Sequence, residues 1–296
     1  MTTARATPLD LPVPAVPRRA GTFVRRLFRR RLVIVGAVLL GTFLLVSAAA
    51  PLLAPQGYDD QDLLRRLRPP SADFPLGTDS LGRDLLARIV WGARVSLMVG
   101  VLAMSLGLTG GSLLGLVSGF YGGRVDRLVM GLMDVLLSFP GILLALAVVA
   151  ALGPGLYQVM VAVGIQQIPA FARLVRGSVL TVRKTEYAEA ARVVGASDTR
   201  IMARHIVPNV VSPVIVLASL DIGTAILSSA GLSFLGLGAQ PPLPDWGGMI
   251  NQGRAFLRTA WWVAVFPGLA IMLTVLGFNL FGDGLRDALD PRLRQA

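Results

Sequence analysis

The chain has 296 residues, 54% of them hydrophobic and 15% charged, with a mean hydropathy of +0.66. A soluble domain carries about a quarter charged residues, so long uncharged runs at this composition exclude a disordered chain and argue against a soluble enzyme. Cysteine is absent and His205 is the single histidine, which removes disulfides, zinc–thiolate sites, histidine metal clusters and cysteine nucleophiles.

Met1–Ala20, rich in Pro, Thr and Arg, reads as a mobile tail. Arg25, Arg26, Arg29, Arg30 and Arg31 then abut an apolar run from Leu32 to Ala54, longer than the core of a signal peptide and read as an uncleaved first span. The segment Pro55–Arg94 is a long connection. Its Gly77–Gly82 turn residues and Arg83-Asp84 lead to a short interfacial helix at about Leu85–Gly92. Five further apolar runs follow at Val95–Phe120, Leu128–Leu152, Leu156–Val175, Val210–Leu237 and Trp261–Gly282. Gly107, Gly110, Gly111, Gly115 and Gly119 in the second run favour close helix packing.

The charges orient these spans. The net charge is +11, from 28 Lys+Arg against 17 Asp+Glu, and a high pI alone can signal nucleic acid. Here the basic residues flank the apolar runs instead, so they serve orientation and no nucleic-acid partner is expected. The N-terminal Arg cluster, Arg124, Arg127, Arg173, Arg176, Arg183, Lys184, Arg192, Arg200, Arg204, Arg286, Arg292 and Arg294 fall on one side, which predicts both termini inside. Trp91, Trp246, Trp261 and Trp262 are expected at the outer interface as amphipathic anchors.

The segment between spans four and five, Thr185–Pro208, carries charge and helix signals that a simple connector lacks. Thr185 is placed to cap a short helix, Glu186 suits its positive end, and Gly195 ends it; Ser197 is placed to cap a second helix, with Asp198 in its first turn. Tyr187, Ala190, Ala191 and Val194 form one stripe, with Glu186, Glu189 and Arg192 facing away. A two-turn helix is marginal alone in water. It therefore packs either on the ends of its own spans or on another protein.

Glu189-Ala190-Ala191, Gly195 and Ile206-Val207-Pro208 resemble the EAA loop of binding-protein-dependent ABC importer permeases. Phe74–Asp84, Gly92–Ser96, Met133–Pro140, Gly231–Gly238 and Gly282–Pro291 are similar to the C-type subunit of the dipeptide/oligopeptide subfamily, so the resemblance runs from about Arg25 to Pro291. His205, Val207 and Ser228-Ser229 depart from the commoner residues at those positions. The resemblance implies an all-α integral membrane protein of six transmembrane helices with the type I ABC importer (MetI-like) permease fold and a cytoplasmic coupling loop, in a bacterial inner membrane. It implies a non-catalytic subunit importing di- or oligopeptides, with nickel or glutathione as alternative cargo. The implied partners are a homologous B-type permease, two peripheral ATPases that hold ATP and Mg, and an extracytoplasmic solute-binding protein. No cofactor or metal is expected on this chain.

On this reading the docking residues are Glu186, Tyr187, Glu189, Ala190, Ala191, Val194 and Gly195. Gly77, Thr78, Asp79, Gly82, Arg83 and Asp84 either meet a partner outside or form a self-packed turn. The expected divisions are a cytoplasmic tail at 1–24, the first span and start of the external loop at 25–75, the external loop at 76–93, the permease domain at 94–284 and a cytoplasmic tail at 285–296. The sequence has no phosphate-binding loop, and its single lysine, Lys184, lacks the glycines such a loop needs. Any ATP-derived work therefore enters from another chain. Asp134 and Asp221 fall within predicted spans, where a charge is costly. Asp134 is placed to pair with Arg124 or Arg127. Asp221, Gln166, Gln167, Ser228, Ser229 and Asn279 either line a translocation path or bond helices together. An ion-gradient carrier, the rival from another class, would show inverted repeats and broken helices with ion ligands; no repeated half is visible. A membrane hydrolase would need a nucleophile–base pair that the sequence does not supply.

Overall fold

The computed structural model describes Leu27, Phe28 and residues 30–289. The 1–24 tail, Arg25, Arg26, Arg29, Arg292 and Arg294 lie outside the described residues. The architecture of these residues is helical: α1 (Arg31–Ala48), α2 (Leu85–Tyr121), α3 (Gly123–Leu137), α4 (Gly141–Leu152), α5 (Leu156–Val182), α6 (Glu186–Val193), α7 (Asp198–Ile201), α8 (Val207–Phe234), α9 (Trp246–Gly253) and α10 (Trp262–Leu289), with short helical segments at Ala50–Leu53, Leu63–Arg65, Met202–Ile206 and Arg254–Phe256 in the connections. Five of these segments are long and apolar enough to cross a membrane, and the bent pair α3–α4 makes a sixth. The expected six-helix count is met in that form.

The α2–α5 pair is the most extensive contact in the molecule. Gly107, Gly111, Gly115 and Gly119 recur every four residues, so they share one face of α2, and that face lies on α5. A Cβ at Gly107 would stand 2.5 Å from the Gln167 Cβ, one at Gly111 would stand 2.5 Å from the Ile168 carbonyl oxygen, and one at Gly119 would stand 2.9 Å from the Val179 Cβ. The space at Gly115 is closed by the Ala172 carbonyl oxygen. Gly110 sits off this face, with only the end of the Ile168 side chain nearby at 3.4 Å. Backbone contact of this kind lets dispersion accumulate where lipid offers no hydrophobic drive. α1 closes on α10 by the same device, with Gly36 against the Phe281 backbone, and Arg30 pairs with Asp287 at 2.5 Å.

Two expectations change. The interfacial helix predicted at Leu85–Gly92 is the first part of α2, a helix of 37 residues and about 55 Å. Its early arginine, Arg88, is buried and compensated by Asp79, so the charge does not end the helix. The third predicted span, Leu128–Leu152, is broken: α3 and α4 meet at 94° across Ser138-Phe139-Pro140. Pro140 cannot continue a helix hydrogen-bond ladder, and α3 is held by ions to α5. Asp126 accepts two hydrogen bonds from Arg176, at 2.5 and 2.6 Å, and one from the Ser118 hydroxyl at 2.5 Å. Asp134 pairs with Arg173 at 2.6 Å, in place of the expected Arg124 or Arg127.

Helix α7 runs into α8 through a π-helical turn, Met202–Ile206, giving an unbroken rod over Asp198–Phe234. Trp246 and Trp262 are buried core residues, in contrast to the expected interfacial anchors. Trp246 donates from Nε1 to the Ile89 carbonyl at 3.1 Å and meets Phe43 edge-on, and Trp262 donates from Nε1 to the Thr78 carbonyl at 3.2 Å. Trp261 is exposed, and half-buried Trp91 donates to the Ala54 carbonyl.

Candidate docking and translocation sites

Helix α6 begins at Thr185, whose extended backbone supplies the first carbonyl acceptor of the helix. Its hydroxyl does not cap: it turns back to donate to the Val182 carbonyl at 2.6 Å. The Ser197 hydroxyl likewise makes no cap, lying 3.3 Å from that of Thr199. The C-terminus of α6 is better specified. Gly195 takes φ +84°, its N–H bonds to the Arg192 carbonyl at 3.0 Å, and the Ala196 N–H reaches the Ala191 carbonyl at 3.0 Å. These are the two bonds of a Schellman ending, which needs a left-handed residue at that point.

One face of α6 anchors it. Ala188 is buried, and half-buried Ala191 packs with Ala196 and Met202 on a cluster of Phe120, Val175, Val179, Ile201, Ile206 and Val210. The expected stripe is thus divided: Ala191 turns inward, while Tyr187, Ala190 and Val194 are exposed, and Val193 joins them. Val193 and Val194 are 88% and 87% exposed, an unusual placement for two adjacent valines on a charged surface. Glu186 and Glu189, both exposed, occupy the first turn and Arg192 the last, each at the favourable end of the helix dipole. The Tyr187 ring stands 6.4 Å from that of His205. Arg183 fixes the loop to the bundle by donating to the Phe120 carbonyl at 2.6 Å, at the end of α2.

The polar residues expected along a path separate into two groups. Gln167 is buried, and its Nε2 donates to the Asp221 backbone carbonyl at 3.2 Å; buried Ser229 donates to the Ile226 carbonyl. The Gln167 bond ties α5 to α8, whereas the Ser229 bond stays within α8. Asp221 is half-buried and forms no ion pair among the described residues, and Ser228 is also half-buried. Gln166 lies against Gly141 at the start of α4, and its buried Oε1 has no hydrogen-bond partner among the described residues. Asn279 is exposed and lines an apolar groove of about 600 Å³ between α8 and α10, away from Gln166 and Gln167.

The external loop is built around buried charge. Gly77, Thr78, Asp79, Gly82 and Arg83 are all buried, which turns their side chains away from any partner; Asp84, half-buried, caps α2 through the Leu86 N–H at 2.9 Å. Asp79 accepts from Arg83 Nε at 2.7 Å and from the Leu81 and Arg83 N–H groups, with Arg88 Nε at 3.5 Å. Thr78 accepts from the Arg68 N–H at 2.9 Å and donates to the Arg65 carbonyl. Of the two open readings, the self-packed turn describes these five residues. The signal was the run of Gly, Thr and Asp, which suits an inward hydrogen-bonded turn as well as a contact surface. Residues passed over in the sequence, Leu63 and Leu64, are large apolar side chains that this loop exposes. Burial pushes the Asp84 carboxyl up, opposed by the Leu86 and Ala87 N–H groups.

Comparison with known proteins bears on the same segments. The family model described as "Binding-protein-dependent transport system inner membrane component" matches residues 111–295, and "N-terminal TM domain of oligopeptide transport permease C" matches residues 20–70. The dipeptide transport system permease protein DppC of Alkalihalophilus pseudofirmus is 45% identical, over 99% of this chain and 100% of its own length. The glutathione transport system permease protein GsiD is 49% identical in Pectobacterium atrosepticum and 51% in Escherichia coli O157:H7, each over 92% of this chain, and over 91% and 90% of the relatives. Among solved structures, inward-facing forms of the MetNI methionine ABC transporter match with TM-scores of 0.56 and 0.57 at 21% and 19% identity. They cover 70% of this chain and 96% and 98% of theirs. That likeness bears out the MetI-like helical fold.

Proposed function

Because the chain belongs to the family of binding-protein-dependent transport system inner membrane components, we propose that it is the C-type permease of an ATP-driven importer of di- and oligopeptides. Its class is that of ABC importer permease subunits, integral to the inner membrane. The finer reading places both termini in the cytoplasm and assigns as partners a homologous B-type permease, two ATPases holding ATP and Mg, and an extracytoplasmic solute-binding protein. The transported peptide and the lipid bilayer complete its surroundings.

The observation that carries the coupling is α6 itself: a helix anchored through Ala188 and Ala191 that leaves Tyr187, Ala190, Val193 and Val194 uncovered. An apolar patch with an acidic and basic rim suits a shallow protein groove. Glu186, Glu189 and Arg192 supply the polar contacts, and Gly195 sets the direction in which the chain leaves. A partner that binds one state of the loop more tightly than the other shifts the whole transporter between inward- and outward-facing forms. The subunit itself makes and breaks no covalent bond.

Gly195→Val tests the docking. A β-branched residue is strained at φ +84°, so the expected result is loss of ATPase co-purification and of ATP-dependent peptide uptake in proteoliposomes, with the helical bundle still folded. Full co-purification and uptake would refute the docking assignment. Uptake by the wild-type chain without nucleotide would refute the importer reading. Glutathione, itself a short peptide, is the second reading, favoured by the 49–51% identity of its permeases against 45% for the dipeptide one. Competition between labelled dipeptide and glutathione in the same vesicles separates them.

A further inference from the structure

Two sides of α8 are packed and one is left over. Toward α10, a Cβ at Gly223 would stand 3.4 Å from the Val275 side chain, and one at Gly282 would stand 2.7 Å from that of Leu220. Toward α2 and α5, Ala218 packs with Met104 and Phe171, and Ala225 with Ala103 and Val163. Asp221, Thr224 and Ser228, spaced i, i+3 and i+7, share the remaining side. Thr224 is exposed and the other two are half-buried.

This side carries polar groups that the chain itself does not satisfy. Asp221 stands at the middle of α8, with about 20 Å of helix on either side. Its backbone carbonyl is fixed by Gln167 Nε2 at 3.2 Å, while its carboxylate has no ion pair among the described residues. Ser219 and Ser229 turn their hydroxyls onto the Val216 and Ile226 carbonyls of the same helix, as hydroxyls in an apolar helix do. Thr224 and Ser228 make no such bond among the described residues. A carboxylate at this depth is too costly to face lipid, so this side looks onto water or onto another protein. Two open hydroxyls beside the carboxylate favour water.

We propose that this side of α8 is a water-lined wall of the translocation path, on which the Asp221 carboxylate receives the ammonium group of the passing peptide. The inference rests on the importer reading above and names the part of the substrate that the path attracts. Dipeptides, oligopeptides and glutathione all carry that group, so it holds for either cargo. Between apolar helices a carboxylate draws a cation and repels an anion more strongly than in bulk water. Thr224 and Ser228 stand one and two turns further along the same side, where their hydroxyls replace part of the water that the ammonium group sheds.

The chain has no cysteine, so Thr224→Cys and Ser228→Cys each introduce its single thiol. The complete importer in nanodiscs is treated with a trimethylammonium and with a sulfonate methanethiosulfonate, and the modification rate is read from the mass of this chain. Both thiols are expected to react, whereas Val38→Cys on the exposed apolar side of α1 stays inert. Positions three apart on a helix lie about 5–6 Å from one another. At Thr224→Cys the cationic reagent should therefore be favoured about tenfold at low salt, relative to the same reagents on a free thiol, and less at high salt. Adding Asp221→Asn should abolish that preference. Asp221→Asn alone should lower ATP-dependent uptake several-fold with all subunits co-eluting, and Asp221→Glu should restore most of it. Inert thiols at both positions, reaction without charge preference, or undiminished uptake by Asp221→Asn each overturn the proposal. Loss of the companion permease from the Asp221→Asn complex overturns it too, by making Asp221 a helix–helix contact. A wild-type assembly that labels as expected but takes up no peptide with ATP instead overturns the importer reading, and with it the peptide as the cation.

Discussion

Replacing Gly111 by alanine adds a single methyl group, and the structure sets what that methyl meets. Its carbon would lie 2.5 Å from the Ile168 carbonyl oxygen, 2.6 Å from the Phe171 Cβ and 3.1 Å from the Ala172 nitrogen. All three belong to the backbone or its first side-chain atom, so no rotamer change relieves the clash. Carbon–carbon contacts settle near 3.5–4 Å, so α2 and α5 must part by about 1 Å around this point. A gap of that size forfeits roughly a quarter to a half of each dispersion contact it opens. Overpacking typically costs 1–3 kcal/mol, and a backbone-limited site belongs at the upper end, about 3 kcal/mol. For a chain of this size that lowers the unfolding midpoint by on the order of 5–10 °C. Gly110→Ala is the matched control: same helix, same chemistry, but the nearest atom is the Ile168 Cδ1 at 3.4 Å, the end of a flexible side chain. Its midpoint is expected within about 2 °C of wild type, because substitutions outside crowded sites usually change stability by about 0.5 kcal/mol or less. Tryptophan fluorescence during heating of the detergent-solubilised chain measures both. Equal midpoints for the two variants would refute the argument. Gly111→Ala/Gly115→Ala should cost less than the sum of its singles, since helices already separated at one rung admit the next methyl more easily.

Asp79→Asn keeps shape but removes the carboxylate that compensates buried Arg83 and Arg88, at an expected cost of about 3–5 kcal/mol; limited proteolysis within residues 56–84 should accelerate, and unchanged cleavage would count against the buried network. Asp245 caps α9 through the Gly247 and Gly248 N–H groups, and burial raises its pKa despite hydrogen bonds from Ser233, Gly248, Gly247 and Ser96. A carboxyl whose folded pKa exceeds its unfolded value contributes stability that is present below the unfolded pKa and lost as pH rises through the folded one. Asp245→Asn should accordingly unfold at a higher temperature than wild type at pH 8, with the difference shrinking as pH falls below the ordinary carboxylate range; a variant less stable at pH 8 contradicts this.

Hydropathy located five of the six spans, because Leu32–Ala54 or Trp261–Gly282 has no place except lipid, but not all their ends: α2 begins at Leu85, well before Val95, and α5 and α10 run on to Val182 and Leu289. The third span was only half legible. Leu128–Leu152 is continuously apolar, and Pro140 announces a kink; the right angle depends on Asp126 and Asp134 meeting Arg176 and Arg173 from a later helix. The same limit applied to α6, the candidate docking helix. Its amphipathic stripe was readable, but which side stays free is settled by Ile201 and Ile206, which follow it in the chain and cover Ala191. The first part of α2 was read as a separate interfacial helix at Leu85–Gly92; its buried Arg88 is met by Asp79, which lies before the helix. Capping failed at Thr185 and Ser197 because a hydroxyl has more than one acceptor in reach, whereas Gly195 allowed few alternatives.

The unbroken rod over Asp198–Phe234 has a mechanical meaning. It is about 55 Å long, and its N-terminal end carries Ile201 and Ile206, on which α6 rests through Ala191. A stiff lever pivoting near its middle by about 10° carries its two tips about 5 Å in opposite senses. On the orientation and docking proposed above, a push received at the α6 end would thus arrive at the other end of the rod as displacement of the backbone itself, with no relay of side chains in between.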